Sequence, residues 1–151
     1  MVPAPTATVT PSNVLVPLDG SPLADDALIH ALATFDCPIT VLNVVTPLDA
    51  AMSEGGMLEA DEERKDAARE RASRLVERAR DRAAAEGRTI ETAVETGDPA
   101  DTIVEYVEDN EVDHIVMGGH GGNRHGVTRR LLGTVATDVV GKAPVTVTVV
   151  R

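Results

Sequence analysis

The residues most able to do chemistry lie between Gly118 and Thr134, in the run GGHGGNRHGVTRRLLGT. Gly118, Gly119, Gly121, Gly122 and Gly126 stand ahead of an apolar pattern with helical period. Glycine lets a backbone turn sharply and lets a phosphate approach amide N–H groups. A helix that follows directly adds the positive end of its dipole. Arg124, Arg129 and Arg130 bring further positive charge, and no Asp or Glu occurs from His114 to Thr137. At the overall acidity of the chain, roughly four carboxylates belong in a stretch of that length. The chemistry on offer is an anion cradle; the competing reading is an ordinary loop between strand and helix. It is not a Walker loop, because no Gly-Lys-Ser/Thr occurs. Nor is it a Rossmann fingerprint: counted from Gly119, the sixth position is Arg124.

Asp19, in Pro17-Leu18-Asp19-Gly20, is the second candidate. It could meet a ligand or simply brace its own turn. His120 and His125 could touch a phosphate, although ordinary loop histidines are the commoner case. His30 and His114 lie in regular patterns with no second ligand at metal spacing, so no dedicated metal site is expected. The single cysteine, Cys37, forbids a disulfide within the chain and reads as a small buried hydrophobe. The loop has no lysine and no evident general base for a γ-phosphate, so catalysis is limited to a slow ATPase at most.

These residues must be positioned by an alternation of strands and helices. Asn13 to Leu18 (NVLVPL) and Pro38 to Val45 (PITVLNVV) are apolar runs suited to buried parallel strands. Between them Ser21 can cap a helix that has Pro22 in its first turn. A long Ala/Arg/Glu helix is expected from about Met57 to Glu86, with Ala68, Ala72, Leu75, Ala79 and Ala83 inward and Gly87 ending it. Arg88 to Glu95 reads as a weaker third strand. Asp98 and Pro99 open the next helix, and Asp113 to Gly118 is the fourth strand. Leu131, Leu132, Val135, Ala136, Val139 and Val140 share one face of a last helix before the strand Val145 to Val150. The pattern predicts a single-domain α/β fold: an open parallel five-stranded sheet with helices on both faces. Ligands of such sheets bind beyond the strands' carboxyl ends, where strand order reverses.

Composition narrows the partners. The 151 residues carry a formal net charge of −11, which disfavours nucleic acid and anionic membrane surfaces. No apolar stretch approaches the roughly 18 residues needed to span a bilayer, and residues 1–12 read as a loose tail rather than a signal peptide, so a cytoplasmic location is expected. Of 14 basic residues only Lys65 and Lys142 are lysine. A carboxylate-rich, lysine-poor surface suits a salt-rich cytosol, which points to a halophilic source. The strand Val145 to Val150 lacks Lys and internal Pro, as a pairing edge would.

From Asn13 to Arg151 the chain resembles the universal stress protein family. The resemblance is carried by VLVPLDGSP, TVLNVV, GDPA, DHIVMGGHG, GVTRRLLGT and APVTVTVVR. It implies a Rossmann-like sheet of order 3-2-1-4-5 and, for the ATP-binding branch, a motif of Gly, two residues, Gly, nine residues, then Gly and Ser or Thr. Gly118 and Gly121 supply the first pair and Gly133-Thr134 the last, but eleven residues separate Gly121 from Gly133. The surplus is expected to bulge outward near Gly122 to His125. The resemblance implies ATP with its Mg²⁺, held by Pro17, Leu18 and Asp19 beside the adenosine and by Val44 at the adenine edge. Met117 would pack near ribose or base, Gly118 and Gly121 would face ribose and phosphates, and Gly133, Thr134 and Val135 would donate amides to the phosphates. It further implies a homodimer through Val145 to Val150 and a nucleotide-dependent switch acting on a protein partner. A nucleotide-free branch that works only through protein contacts is the alternative.

Overall fold

The computed structural model describes residues 10–46, 58–119 and 132–151, with backbone alone for residues 58–61. Strand β1 (Val14–Pro17), helix α1 (Pro22–Thr34), β2 (Ile39–Val45), α2 (Leu58–Ala85) and β3 (Glu91–Thr96) form the first half. Helix α3 (Pro99–Asp109), β4 (His114–Gly118), α4 (Thr134–Lys142) and β5 (Thr146–Val150) form the second. All neighbouring strands are parallel, in the order β3-β2-β1-β4-β5. The expected topology is therefore the observed one.

Alternation along the inner strands feeds two cores. Val14 and Val16 of β1, with Ile39, Val41 and Val116, pack under α1 and α2. Leu15, Leu42, Ile115 and Met117 pack on the opposite face, under Ala100, Ile103 and Val107 of α3 and Ala136 and Val139 of α4. Central strands buried on both faces explain why the sequence shows continuous apolar runs there.

The helix starts follow from their caps. Ser21 Oγ accepts from the Ala24 amide at 3.3 Å, and Asp98 Oδ2 accepts from the Asp101 amide at 3.1 Å. Each satisfies one first-turn donor that has no intrahelical partner, and each is followed by proline, whose missing N–H costs nothing at that position. Helix α2 ends in a Schellman motif: Gly87 takes φ 73°, its amide donates to the Ala84 carbonyl and the Arg88 amide to that of Ala83.

Three local expectations are corrected. The third strand begins at Glu91, not Arg88, because Arg88 turns back to close the carboxyl end of α1. Its Nη1 donates to the Leu32 and Phe35 carbonyls, both at 2.9 Å, and its Nη2 to the Cys37 carbonyl at 3.0 Å. On α2 it is Val76 that reaches the core, whereas Leu75 is half-buried over Gly20. On α4 only Ala136 and Val139 are buried; Val135 is 36% and Val140 48% exposed. That nine-residue helix presents a narrow i, i+3 stripe to the sheet, and Leu132 packs from before its cap. Leu131 lies outside the described residues, as do residues 1–9 of the expected tail.

Cys37 is half-buried and burial raises its thiol above the ordinary value, against opposing backbone hydrogen bonding, which keeps it protonated and in a packing role. Among the described residues no helix is long and apolar enough to cross a membrane.

Candidate functional site

The order of strands reverses between β1 and β4, which are neighbours although β2 follows β1 in the chain. Beyond their carboxyl ends lies a cavity of about 460 Å³. This volume falls within the range of small-molecule sites, roughly 300–1,000 Å³. The cavity brings together Pro17, Leu18, Asp19, Val44, Met117, Gly118, Gly133, Thr134 and Val135. Gly121, with His120, His125, Arg124, Arg129 and Arg130, lies outside the described residues.

The floor is set by β1 and β2. Asn43 is 6% exposed, and its Nδ2 donates to the Leu18 carbonyl at 2.7 Å. The Leu18 amide donates to the Leu42 carbonyl at 2.9 Å, so the chain leaving β1 is tied twice to β2. Asp19 follows, exposed, and its Oδ1 accepts from the Ser21 amide at 2.9 Å. The carboxylate braces the turn into α1 through one oxygen, and Asp19 lines the cavity. Gly20 completes the turn at φ 88°, a conformation that disfavours a side chain.

The far wall is built by two glycines and a helix start. The Gly119 amide donates to the Val150 carbonyl at 2.8 Å, and the Gly133 amide donates to the Gly119 carbonyl at 2.7 Å. Gly133 is the cap residue of α4 and its carbonyl accepts the first helical bond, from Thr137, at 2.9 Å. The amides of Thr134, Val135 and Ala136 therefore precede the first intrahelical pairing, and among the described residues no side chain caps them. All three residues line the cavity. Gly133 contributes its position rather than its own N–H, which is already donated to Gly119.

Gly118 has a packing reason that the sequence did not reveal. A Cβ there would lie 2.8 Å from the Leu23 carbonyl carbon and 2.9 Å from the Ala24 nitrogen. Its lack of a side chain is what lets β4 approach the first turn of α1.

Sequence reasoning missed the lining from the helices. Ala68, Arg71, Ala72 and Leu75 of α2 and Pro99 and Ile103 of α3 also border the cavity, as does Asn43. Asn43 carried a signal, being the one amide in the apolar run ITVLNVV. Among the described residues, no group of three or more His, Cys, Asp or Glu side chains is arranged to hold a metal ion.

An open parallel sheet with a ligand-sized cleft at its switch point, walled by free helix amides, is the class of protein that fold and site define. The chain belongs to the universal stress protein family, whose family model matches residues 11–151. A universal stress protein of Methanocaldococcus jannaschii is 32% identical over 144 residues, which cover 92% of this chain and 81% of that protein. The structure of universal stress protein UspA from Lactobacillus plantarum superposes with a TM-score of 0.79 at 29% identity, over 93% of this chain and 97% of that one. A universal stress protein solved in complex with cAMP superposes with a TM-score of 0.66 at 25% identity, over 94% and 98%.

Proposed function

We propose that the chain binds an adenine nucleotide, ATP with its Mg²⁺, in the cavity between β1 and β4, and works as a nucleotide-dependent regulator in a stress response. The observation that carries this reading is the meeting, in one cavity, of the Asp19 turn with the unpaired amides of Thr134, Val135 and Ala136. Converging amides at a helix start favour a phosphate, and a mostly apolar floor of Leu18, Leu42, Val44 and Met117 suits a base. The related structure with cAMP supports an adenine nucleotide as the ligand class.

The surplus of two residues after Gly121 is compatible with this reading. The bond from the Gly133 amide to the Gly119 carbonyl joins the two ends of that segment. Where α4 begins is therefore set by this bond and by packing, not by the number of residues between. Any metal ion would arrive on the nucleotide.

The switch acts as a homodimer through β5, in a salt-rich cytosol. β5 is an edge of the sheet, its residues are half-buried or exposed, and Val140 of the adjacent α4 is 48% exposed. Light scattering at micromolar concentration tests the dimer; a monomer mass removes it.

Isothermal titration with Mg-ATP tests the binding, with thermal shift in parallel. At a ligand concentration of 100 dissociation constants the folded state gains about 2.7 kcal/mol. Absence of both heat and shift for demonstrably folded protein overturns the proposal.

A further inference from the structure

Helix α2 carries a run of arginines, and all but one share a pattern. Arg64, Arg69, Arg74, Arg78, Arg80 and Arg82 each have an Asp or Glu three or four residues away. Arg69 pairs with Asp66, Arg74 with Glu70 and Arg80 with Glu77. This is the usual way a charged helix face satisfies itself in water. Arg71 is the exception: its neighbours at three and four residues are Ala67, Ala68, Arg74 and Leu75. No hydrogen bond or ion pair is formed by its guanidinium among the described residues.

Among the described residues, Arg71 is also the one basic residue that borders the cavity, and Asp19 the one acidic residue. It stands on the turn of α2 whose Ala68 and Ala72 pack on Val45 at the end of β2, one turn before Leu75 meets Gly20. The side chain is exposed at the rim, where five donors can be presented without a competing carboxylate on its own helix. In a chain of net charge −11, Arg71 is the one arginine of α2 without an acid at helical spacing.

We propose that Arg71 is a specificity residue of this site, recognising the phosphate charge of the bound ligand from the wall opposite α4. This rests on the cavity being the nucleotide site. Guanidinium and phosphate form paired, charge-assisted hydrogen bonds, and a single such contact at a half-open rim changes affinity by about tenfold. Arg71 therefore separates ligands by charge: it contributes to ATP and AMP and nothing to adenosine.

The test is titration of the full chain and of Arg71→Ala and Arg71→Lys with Mg-ATP, AMP and adenosine, at two salt concentrations. Melting curves without ligand check that the variants are folded. Arg71→Ala is expected to weaken Mg-ATP about tenfold and to leave adenosine within about twofold, with Arg71→Lys between. The salt dependence of ATP binding should also become shallower in Arg71→Ala. Equal weakening of ATP and adenosine would overturn the proposal, because Arg71 would then be packing on the base. Unchanged ATP affinity would overturn it as well. If the unaltered chain binds none of the three ligands, the nucleotide reading itself fails and Arg71 falls with it.

Discussion

The side-chain amide of Asn43 donates to the Leu18 carbonyl at 2.7 Å, joining the end of β1 to β2. The bond is buried, and the turn that presents Asp19 begins at the next residue. Replacing Asn43 by Ala leaves that carbonyl without its donor inside the protein, at a cost of about 1–3 kcal/mol. Asn43→Asp should cost more at neutral pH, since one acceptor then faces another. Denaturant midpoints measure both. Midpoints equal to the parent would mean that the Leu18 carbonyl finds another donor.

Gly118 and Thr134 should respond in opposite ways. Gly118→Ala forces a Cβ to within 2.8 Å of backbone in α1, which cannot swing aside as a side-chain end could. A loss of about 1–3 kcal/mol in ligand-free protein is expected. Weak nucleotide binding by that variant would reflect a displaced strand as readily as a lost contact. Thr134→Pro is the cleaner probe. Thr134 is the first residue of α4, and Gly133 before it has φ −66° and ψ 165°, which a following proline accepts. The variant should fold with stability within about 0.5 kcal/mol of the parent while deleting one cavity amide. Thr134→Ala deletes the hydroxyl and keeps the amide. Titration of both with Mg-ATP should show the larger loss for proline, and equal affinities would exclude the amide from binding.

Stability should fall in two steps with acid. His114 is 9% exposed, its Nε2 is 2.8 Å from Thr148 Oγ1, and its ring lies 4.9 Å from that of Phe35. Burial holds the imidazole below its ordinary value of 6.5; Asp113 opposes the shift and His30 adds to it. The unfolded chain therefore takes the proton first, so stability is full above about pH 6.5 and declines as pH falls through the lower folded value. Asp113 gives the second step. Burial pushes its carboxyl up, but the Ser12 amide and hydroxyl and the Asn13 amide together outweigh that and hold it below the usual range. Its contribution is full above about pH 4 and is lost in stronger acid. Urea midpoints should drop between pH 7 and 5.5 in the parent. His114→Leu should be less stable throughout and flatter across that window. A parent curve already flat there would remove the role assigned to His114.

The charge of −11 predicts a response to salt. The ion pairs of α2, Arg69 with Asp66 at 4.0 Å, Arg74 with Glu70 at 3.9 Å and Arg80 with Glu77 at 3.1 Å, are all exposed and offset little of the repulsion. Screening should raise the melting temperature by about 5 °C or more between dilute and molar KCl. Circular dichroism measures this, and a constant melting temperature would count against a salt-rich origin.

Much of this arrangement was legible in the residue order. Proline after Ser21 and Asp98 marked two helix starts, and the doubly buried strands announced themselves as apolar runs. The turn at Asp19 and the helix start at Thr134, which line the cavity, could be picked out because they lie beyond the ends of parallel strands. What could not be read depended on distant packing. Arg88 looked like part of a strand because its three carbonyl partners lie more than 50 residues earlier, around the end of α1. Val135 and Val140 looked buried because helical period gives a face but not the width of the stripe that a short helix buries. Arg71 was one arginine among many until the cavity singled it out, although the lack of an acid at helical spacing was already present in its neighbours.

The single short bond between the Gly133 amide and the Gly119 carbonyl has a practical use. It joins residues 119 and 133 directly, so added residues between them, with Gly121 kept, should leave β4 and α4 in their places. A peptide carrying an environment-sensitive fluorophore, inserted between those two residues, would enter the chain next to Gly133, which lines the cleft. Such an insertion would turn the chain into an optical reporter of whatever occupies the cleft.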